Sequence, residues 1–255
     1  MSMTAHTLAT VAVGKARRSD IVVEDLTASS ARIVVNDDAG TRELTVYTTV
    51  SGFPMLADEH RQVTLPEAEA VRALTAPGEA VLIEEPVYYP FREVVEDNGR
   101  TVAAVPLVRD ADGVYRRDLA ALESTIEATG SRLLLLCNPH NPVGRVWSRD
   151  ELAALDEVAA RHGVVVAADE IHADLALPGF ATTPFASLSE ATAARTITCT
   201  SPSKSFNLAG LQVANILIAD AHLREAFRRE LATTGYSQPN VLGLTACRAA
   251  YEGGE

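Results

Sequence analysis

Cysteine is scarce in this chain of 255 residues: Cys137, Cys199 and Cys247 lie far apart and form no CxxC pair. That excludes a disulfide framework and a zinc knuckle, and it suits a reducing compartment. Long apolar runs are missing too. The longest candidates, Leu133 to Cys137 and Val164 to Ala168, fall far short of the roughly 20 residues that cross a bilayer, so no membrane partner is expected. Basic residues are outnumbered, 22 Lys plus Arg against 34 Asp plus Glu, and a net charge of −12 repels phosphate backbones, which argues against nucleic acid as a partner. Neither G-x-G-x-x-G nor G-x-x-x-x-G-K-[ST] occurs, which disfavours dinucleotide and P-loop sites. The first 18 residues carry their basic residues late and show no compact apolar stretch with a small-residue cleavage site, so a cytoplasmic protein without an export signal is expected. There is no internal repeat, low-complexity tract or Pro-rich linker.

What is present is a globular composition, 47% apolar and 22% charged, which excludes disorder, collagen and coiled coil. The length fits one large α/β domain or two modest ones. From about residue 80, short apolar runs alternate with helical patterns, the signature of a parallel sheet with crossover helices. Candidate strands are Val81 to Ile83, Thr101 to Val105, Leu133 to Cys137, Val164 to Ala168, Thr196 to Thr200 and Val213 to Ala219. They scarcely alternate, as expected of strands covered on both faces. Ser148 and Glu151 form an S-x-x-E capping box, Leu152, Leu155, Val158 and Ala159 follow along one face, and Gly163 supplies the stop. A second helix, Asp220 to Leu231, sets Leu223, Phe227 and Leu231 on one stripe and leaves Arg224, Arg228 and Arg229 as a solvated face. Residues 1–60 have another texture: Ile33 to Val35, Asn36 to Gly40 and Leu44 to Val50 read as a hairpin. The expectation is an atypical segment 1–60 followed by a domain 61–255 with a mostly parallel central sheet and helices on both faces.

Parallel strands end on one edge, and ligands bind in the crevice there. Leu133 to Cys137 runs into Asn138-Pro139-His140-Asn141-Pro142-Val143-Gly144, Val164 to Ala168 into Asp169-Glu170-Ile171-His172, and Thr196 to Thr200 into Ser201-Pro202-Ser203-Lys204. An acid, a lysine and an asparagine converging on one edge are the types that a pyridoxal phosphate site requires. The lysine amine bonds the cofactor aldehyde and moves the substrate α-proton, which points to Lys204. A carboxylate keeps the pyridine nitrogen protonated, which suits Asp169. Ser201 and Ser203 offer hydroxyls to a phosphate, and Asn141 a hydrogen bond to the ring hydroxyl. Taken singly these residues have ordinary readings: a solvated lysine, a helix cap, a Pro- and Asn-rich turn, and for His172 a satisfied loop histidine. Tyr88 and Tyr89 serve either as packing or as a stacking platform.

The stretches PVYYPF, NPHNPVGRVWSRDEL, DEIHADL and TSPSKSFNLAGLQ, in that order, resemble fold-type I pyridoxal phosphate enzymes of the class I/II aminotransferase superfamily, closest to cysteine-S-conjugate (cystathionine) β-lyases of the MalY/PatB group. The resemblance covers roughly residues 64–255. It implies pyridoxal 5′-phosphate as cofactor, Lys204 as its covalent and catalytic partner, Asp169 at the pyridine nitrogen, Asn141 and His172 near the ring hydroxyl, Tyr88 stacked on the ring, and Ser201 and Ser203 near the phosphate. It also implies a small amino-acid substrate cleaved to a thiol, pyruvate and ammonia, and a homodimer. Many aminotransferases of this fold carry tyrosine in place of His172 and arginine in place of Gln212, so these two residues favour the lyase branch.

Two departures stand out. The glycine-led segment that serves the cofactor phosphate in the family should fall near residues 61–66, which read Arg61-Gln62-Val63-Thr64-Leu65-Pro66, and Pro66 has no amide to offer. An aromatic-rich N-terminal segment and a smaller C-terminal domain bearing a carboxylate-binding arginine are expected to be absent. Besides the lyase, an aminotransferase and an inactive or regulatory lyase-like module remain as readings. Ser201-Pro202-Ser203-Lys204 also matches S-x-x-K of penicillin-binding proteins, without the companions S-D-N and K-T-G.

Overall fold

The computed structural model describes residues 66–234 and 240–254 in full and the backbone strands at 21–24, 30–37 and 40–49. Helix α1 (Pro66–Leu74) leads to β4 (Ala80–Glu85), α2 (Pro90–Asp97) and β5 (Thr101–Pro106); α3 (Leu119–Thr129) leads to β8 (Leu133–Cys137); and α4 (Arg149–His162) leads to β9 (Val165–Asp169). Strand β10 (Thr196–Thr200) is followed by the short α6 (Pro202–Ser205), β11 (Ala214–Ile218), α7 (Ala221–Thr233) and α8 (Val241–Gly253). Lesser elements are β6 (Val108–Arg109) and β7 (Tyr115–Arg116), which pair with each other, and α5 (Glu190–Ala193).

Strands β4, β5, β8, β9 and β10 are parallel and occupy one side of a nine-stranded sheet, in the order β11-β10-β9-β8-β4-β5, with three strands of the N-terminal region beyond β11. The expectation of a mostly parallel core with helices on both faces holds, but β11 runs antiparallel to β10. The reason is the connection. A parallel return needs a helix long enough to cross the sheet, and between Thr200 and Ala214 the chain has only the four-residue α6 and a short turn. It doubles back beside Lys204 instead.

The hairpin region supplies β1 (Ile21–Glu24), β2 (Ser30–Asp37) and β3 (Gly40–Thr49). Strands β2 and β3 pair antiparallel from Ser30↔Tyr47 to Asp37↔Gly40, and β3 pairs with β11, so these strands extend the same sheet. The expected boundary near residue 60 and the segment Arg61 to Leu65 lie outside the described residues.

Two apolar layers flank the sheet. On one face Ala68, Ala70 and Val71 of α1, Phe91, Val94 and Val95 of α2 and Phe227 of α7 cover Ile83, Leu135, Ala167 and Ile197. On the other, Leu122 and Ile126 of α3 and Leu152, Leu155, Val158 and Ala159 of α4 cover Leu82, Leu134, Leu136 and Val166. Both faces are dry, which is why the strands read as unbroken apolar runs. The capping box is formed: Ser148 Oγ accepts from Glu151 N–H, Glu151 returns the bond to Ser148 N–H, and Gly163 closes the helix at φ 64° in the left-handed region. The solvated-arginine reading holds for Arg228 and Arg229, which are exposed, and fails for Arg224. Its guanidinium donates to the Ile218 and Ala219 carbonyls, both at 2.9 Å, and so satisfies the end of β11.

Candidate active site

The C-terminal ends of β4, β8, β9 and β10 meet at one edge, and two hydrogen bonds staple the first two loops together. Tyr88 N–H donates to the Asn141 carbonyl at 2.9 Å, and His140 Nε2 lies 3.0 Å from the Pro86 carbonyl. A carbonyl only accepts, so Nε2 carries the proton, and burial holds His140 below the usual histidine range as a neutral ring. Trp147 fixes the same loop from beneath, donating Nε1–H to the Cys137 carbonyl at 3.1 Å. These contacts set Tyr88 beside Asn141, although the two are distant in sequence.

Asp169 is the last residue of β9 and stands in register between Cys137 on β8 and Cys199 on β10. It keeps some exposure to the crevice. Its Oδ1 accepts from Ile171 N–H at 3.1 Å. Burial pushes its carboxyl up to about 6, opposed by that amide and by the positive charge of Lys204. Lys204 sits in α6, exposed, and among the described residues it forms no ion pair. Burial, then the charge of Lys204, holds His172 below its ordinary range. Burial raises the Tyr88 phenol, with smaller contributions from Tyr89 and Asp169. Tyr88, Asp169, His172 and Lys204 therefore share one electrostatic neighbourhood, and Asn141 is bonded to its rim.

The serines divide. Ser201 is buried, and its Oγ donates to the Val213 carbonyl at 2.6 Å while accepting from Ser203 N–H at 3.0 Å and from Ser203 Oγ at 2.6 Å. A hydroxyl has one proton and two lone pairs, so Ser201 is saturated. It works as the N-cap of α6 and gives its proton to a main-chain carbonyl rather than to a base, which disfavours the S-x-x-K reading. Ser203 has one partner to exchange, and its hydroxyl is the one open to a ligand.

Behind the edge lie buried polar groups that sequence patterns do not mark. Glu170 accepts from Phe185 N–H at 2.7 Å and from Asn138 Nδ2 at 3.3 Å, and burial pushes its carboxyl up to about 7. Asn138 also donates to the Thr183 carbonyl at 3.0 Å, so this pair ties the β8 and β9 ends to the loop before residue 185. Glu84 and Arg117 form a buried ion pair at 2.7 Å, with the guanidinium stacked 3.8 Å from the Trp147 ring centre. Glu67 is buried in the first turn of α1. Beside Asn141 and His172 opens a groove of about 530 Å³, bordered by Arg145, Leu175, Leu177 and Phe180.

An aminotransferase class I and II family model matches residues 67–253. The chain belongs to this family. It is 46% identical over 185 residues to cystathionine β-lyase PatB of Bacillus subtilis (strain 168), a match covering 72% of this chain and 48% of that protein. It is 38% identical over 188 residues to protein MalY of Escherichia coli (strain K12), covering 73% and 47%. Among solved structures, cystalysin from Treponema denticola, which contains pyridoxal 5′-phosphate, superposes with a TM-score of 0.71 at 39% identity over 74% of this chain and 48% of that one. The chain thus spans about half the length of the relatives it matches. Among the described residues no helix is long and apolar enough to cross a membrane.

Proposed function

We propose that this chain is the cofactor-binding half of a pyridoxal 5′-phosphate-dependent carbon–sulfur β-lyase that acts on small amino acids, cystathionine or cysteine S-conjugates, in the cytoplasm. The single observation that carries the reading is that Asp169, partly exposed at the end of β9, lies within the electrostatic reach of Lys204, which has no ion-pair partner among the described residues.

The residues present fit the ring end of the cofactor. Asp169 commits Oδ1 to one internal amide and keeps access to the crevice, so it can accept a charge-assisted bond from a ring nitrogen. Tyr88, half-buried and bonded through its backbone to Asn141, is the aromatic group for stacking, and Asn141 and His172 are polar groups for a ring hydroxyl. When bound, the cofactor supplies an electron sink that makes the α-proton of an amino acid labile. Lys204, exposed and without an ion-pair partner among the described residues, is the group that anchors the cofactor and holds or moves a proton at the substrate α-carbon. At the phosphate end Ser203 is the available hydroxyl, while Ser201 holds the α6 turn in place. The identities of His172 and Gln212 favour lyase over aminotransferase, and the homology to PatB points the same way.

The test is pyruvate release from cystathionine by the purified chain with added cofactor. Release that is lost in Lys204→Ala supports the lyase. A folded chain that binds cofactor and forms no pyruvate is a binding or regulatory module, and transfer of the amino group to a 2-oxo acid in its place marks an aminotransferase. Sedimentation analysis showing a homodimer accompanies the enzymatic outcome.

A further inference from the structure

Glu67 is a carboxyl group with no assigned task, in an expensive place. Helix α1 lies on the sheet face from which Cys137, Asp169 and Cys199, register partners on three parallel strands, project their side chains. Glu67 is only 1% exposed, and among the described residues its Oε2 has no hydrogen-bond partner. The groups near it are the Asp169 carboxyl, the thiols of Cys199 and Cys137, and Glu69 two residues on. Among the described residues no cation faces it: Glu69 takes Arg72 at 3.4 Å, and Lys204 acts on Asp169. Two carboxyl groups in one dry pocket without a cation cannot both ionise cheaply. Asp169, at the strand end, has the crevice and Lys204 to stabilise its charge; Glu67 has neither.

We propose that Glu67 and Asp169 form a carboxyl pair that carries one proton, stored on Glu67, so that the single negative charge is confined to Asp169 at the crevice. Glu67 is thus a positioning residue that acts through Asp169. Burial and the neighbouring Asp169 charge both drive Glu67 well above the ordinary carboxylate range, in line with this arrangement. The pair is a property of the chain itself; only its meaning for a ring nitrogen rests on the function proposed above.

Infrared titration of the protein without cofactor tests the pair directly, because a protonated carboxyl absorbs apart from a carboxylate. The wild type minus Glu67→Gln difference at pH 7 shows a protonated carboxyl band, and Asp169→Asn lowers the pH at which that band is lost. Absence of the band, or a titration that Asp169→Asn leaves unmoved, overturns the proposal. Glu67→Met, apolar in an apolar pocket, gives the same difference if the glutamine variant does not fold. Cofactor affinity is measured separately: Glu67→Gln, which mimics the protonated acid, retains it, and a large loss contradicts the stored proton. If wild-type protein takes up no cofactor at any pH, the functional reading fails while the infrared result still decides the pair.

Discussion

At the scale of single residues, the site depends on which groups have spare hydrogen-bonding capacity. Asp169→Asn keeps an oxygen for Ile171 N–H, so the strand end survives, but it loses the charge that a ring nitrogen would meet. A charge-assisted bond is worth about 1.5–3 kcal/mol, so cofactor binding should weaken about tenfold to a hundredfold in an absorbance titration. Glu170 gives a pH prediction. Its carboxyl is raised to about 7 by burial, whereas the unfolded chain ionises it near the ordinary carboxylate value. The folded form therefore binds the proton more tightly, so this stabilisation is complete at acid pH and is lost as pH rises towards about 7. Glu170→Gln removes this loss, on the order of 2–3 kcal/mol at neutral pH, and flattens the pH dependence of the unfolding midpoint between about 4.5 and 7. A slope unchanged from wild type would contradict it. Lys204, Asp169 and His172 were legible because they follow apolar runs at one edge. The state of Ser201 was not, since a helix N-cap and a phosphate ligand draw on the same residue type. Glu67 was not legible either, because an acidic residue in the first turn of a helix is ordinarily solvated.

At the scale of elements, local chemistry sets the boundaries and distant pairs hold them. Ser148→Ala removes the side-chain half of the capping box of α4, the Oγ that accepts from Glu151 N–H, and should cost about 1 kcal/mol, lowering the midpoint by about 2–4 °C in a scanning experiment. Glu84 and Arg117 join the end of β4 to the segment before α3, under Trp147. Glu84→Ala strands a buried guanidinium and should destabilise by about 3–5 kcal/mol, whereas the double change Glu84→Leu with Arg117→Met should cost much less. Chemical denaturation of the two variants and the wild type checks that order. The strands were readable because burial on both faces leaves continuous apolar runs, and α4 because its cap and stop are local signals. The direction of β11 was not, because only the shortness of the connection through α6 decides it. The Glu84–Arg117 pair is long-range, and no spacing rule reveals it.

At the scale of the molecule, the sheet gathers four strand ends on one edge and brings a conditional charge, Asp169, near Lys204, whose amine has no ion-pair partner among the described residues. A ligand that binds only the folded state at a hundred times its Kd adds about 2.7 kcal/mol, so saturating pyridoxal 5′-phosphate should raise the midpoint by about 5–10 °C. The same rise should be reduced in Lys204→Ala and in Asp169→Asn. The most direct test is borohydride reduction of the protein incubated with pyridoxal 5′-phosphate, followed by peptide mass analysis. The account predicts one stable cofactor adduct, on Lys204; a well-folded protein that yields no adduct there, or carries it on another lysine, contradicts it.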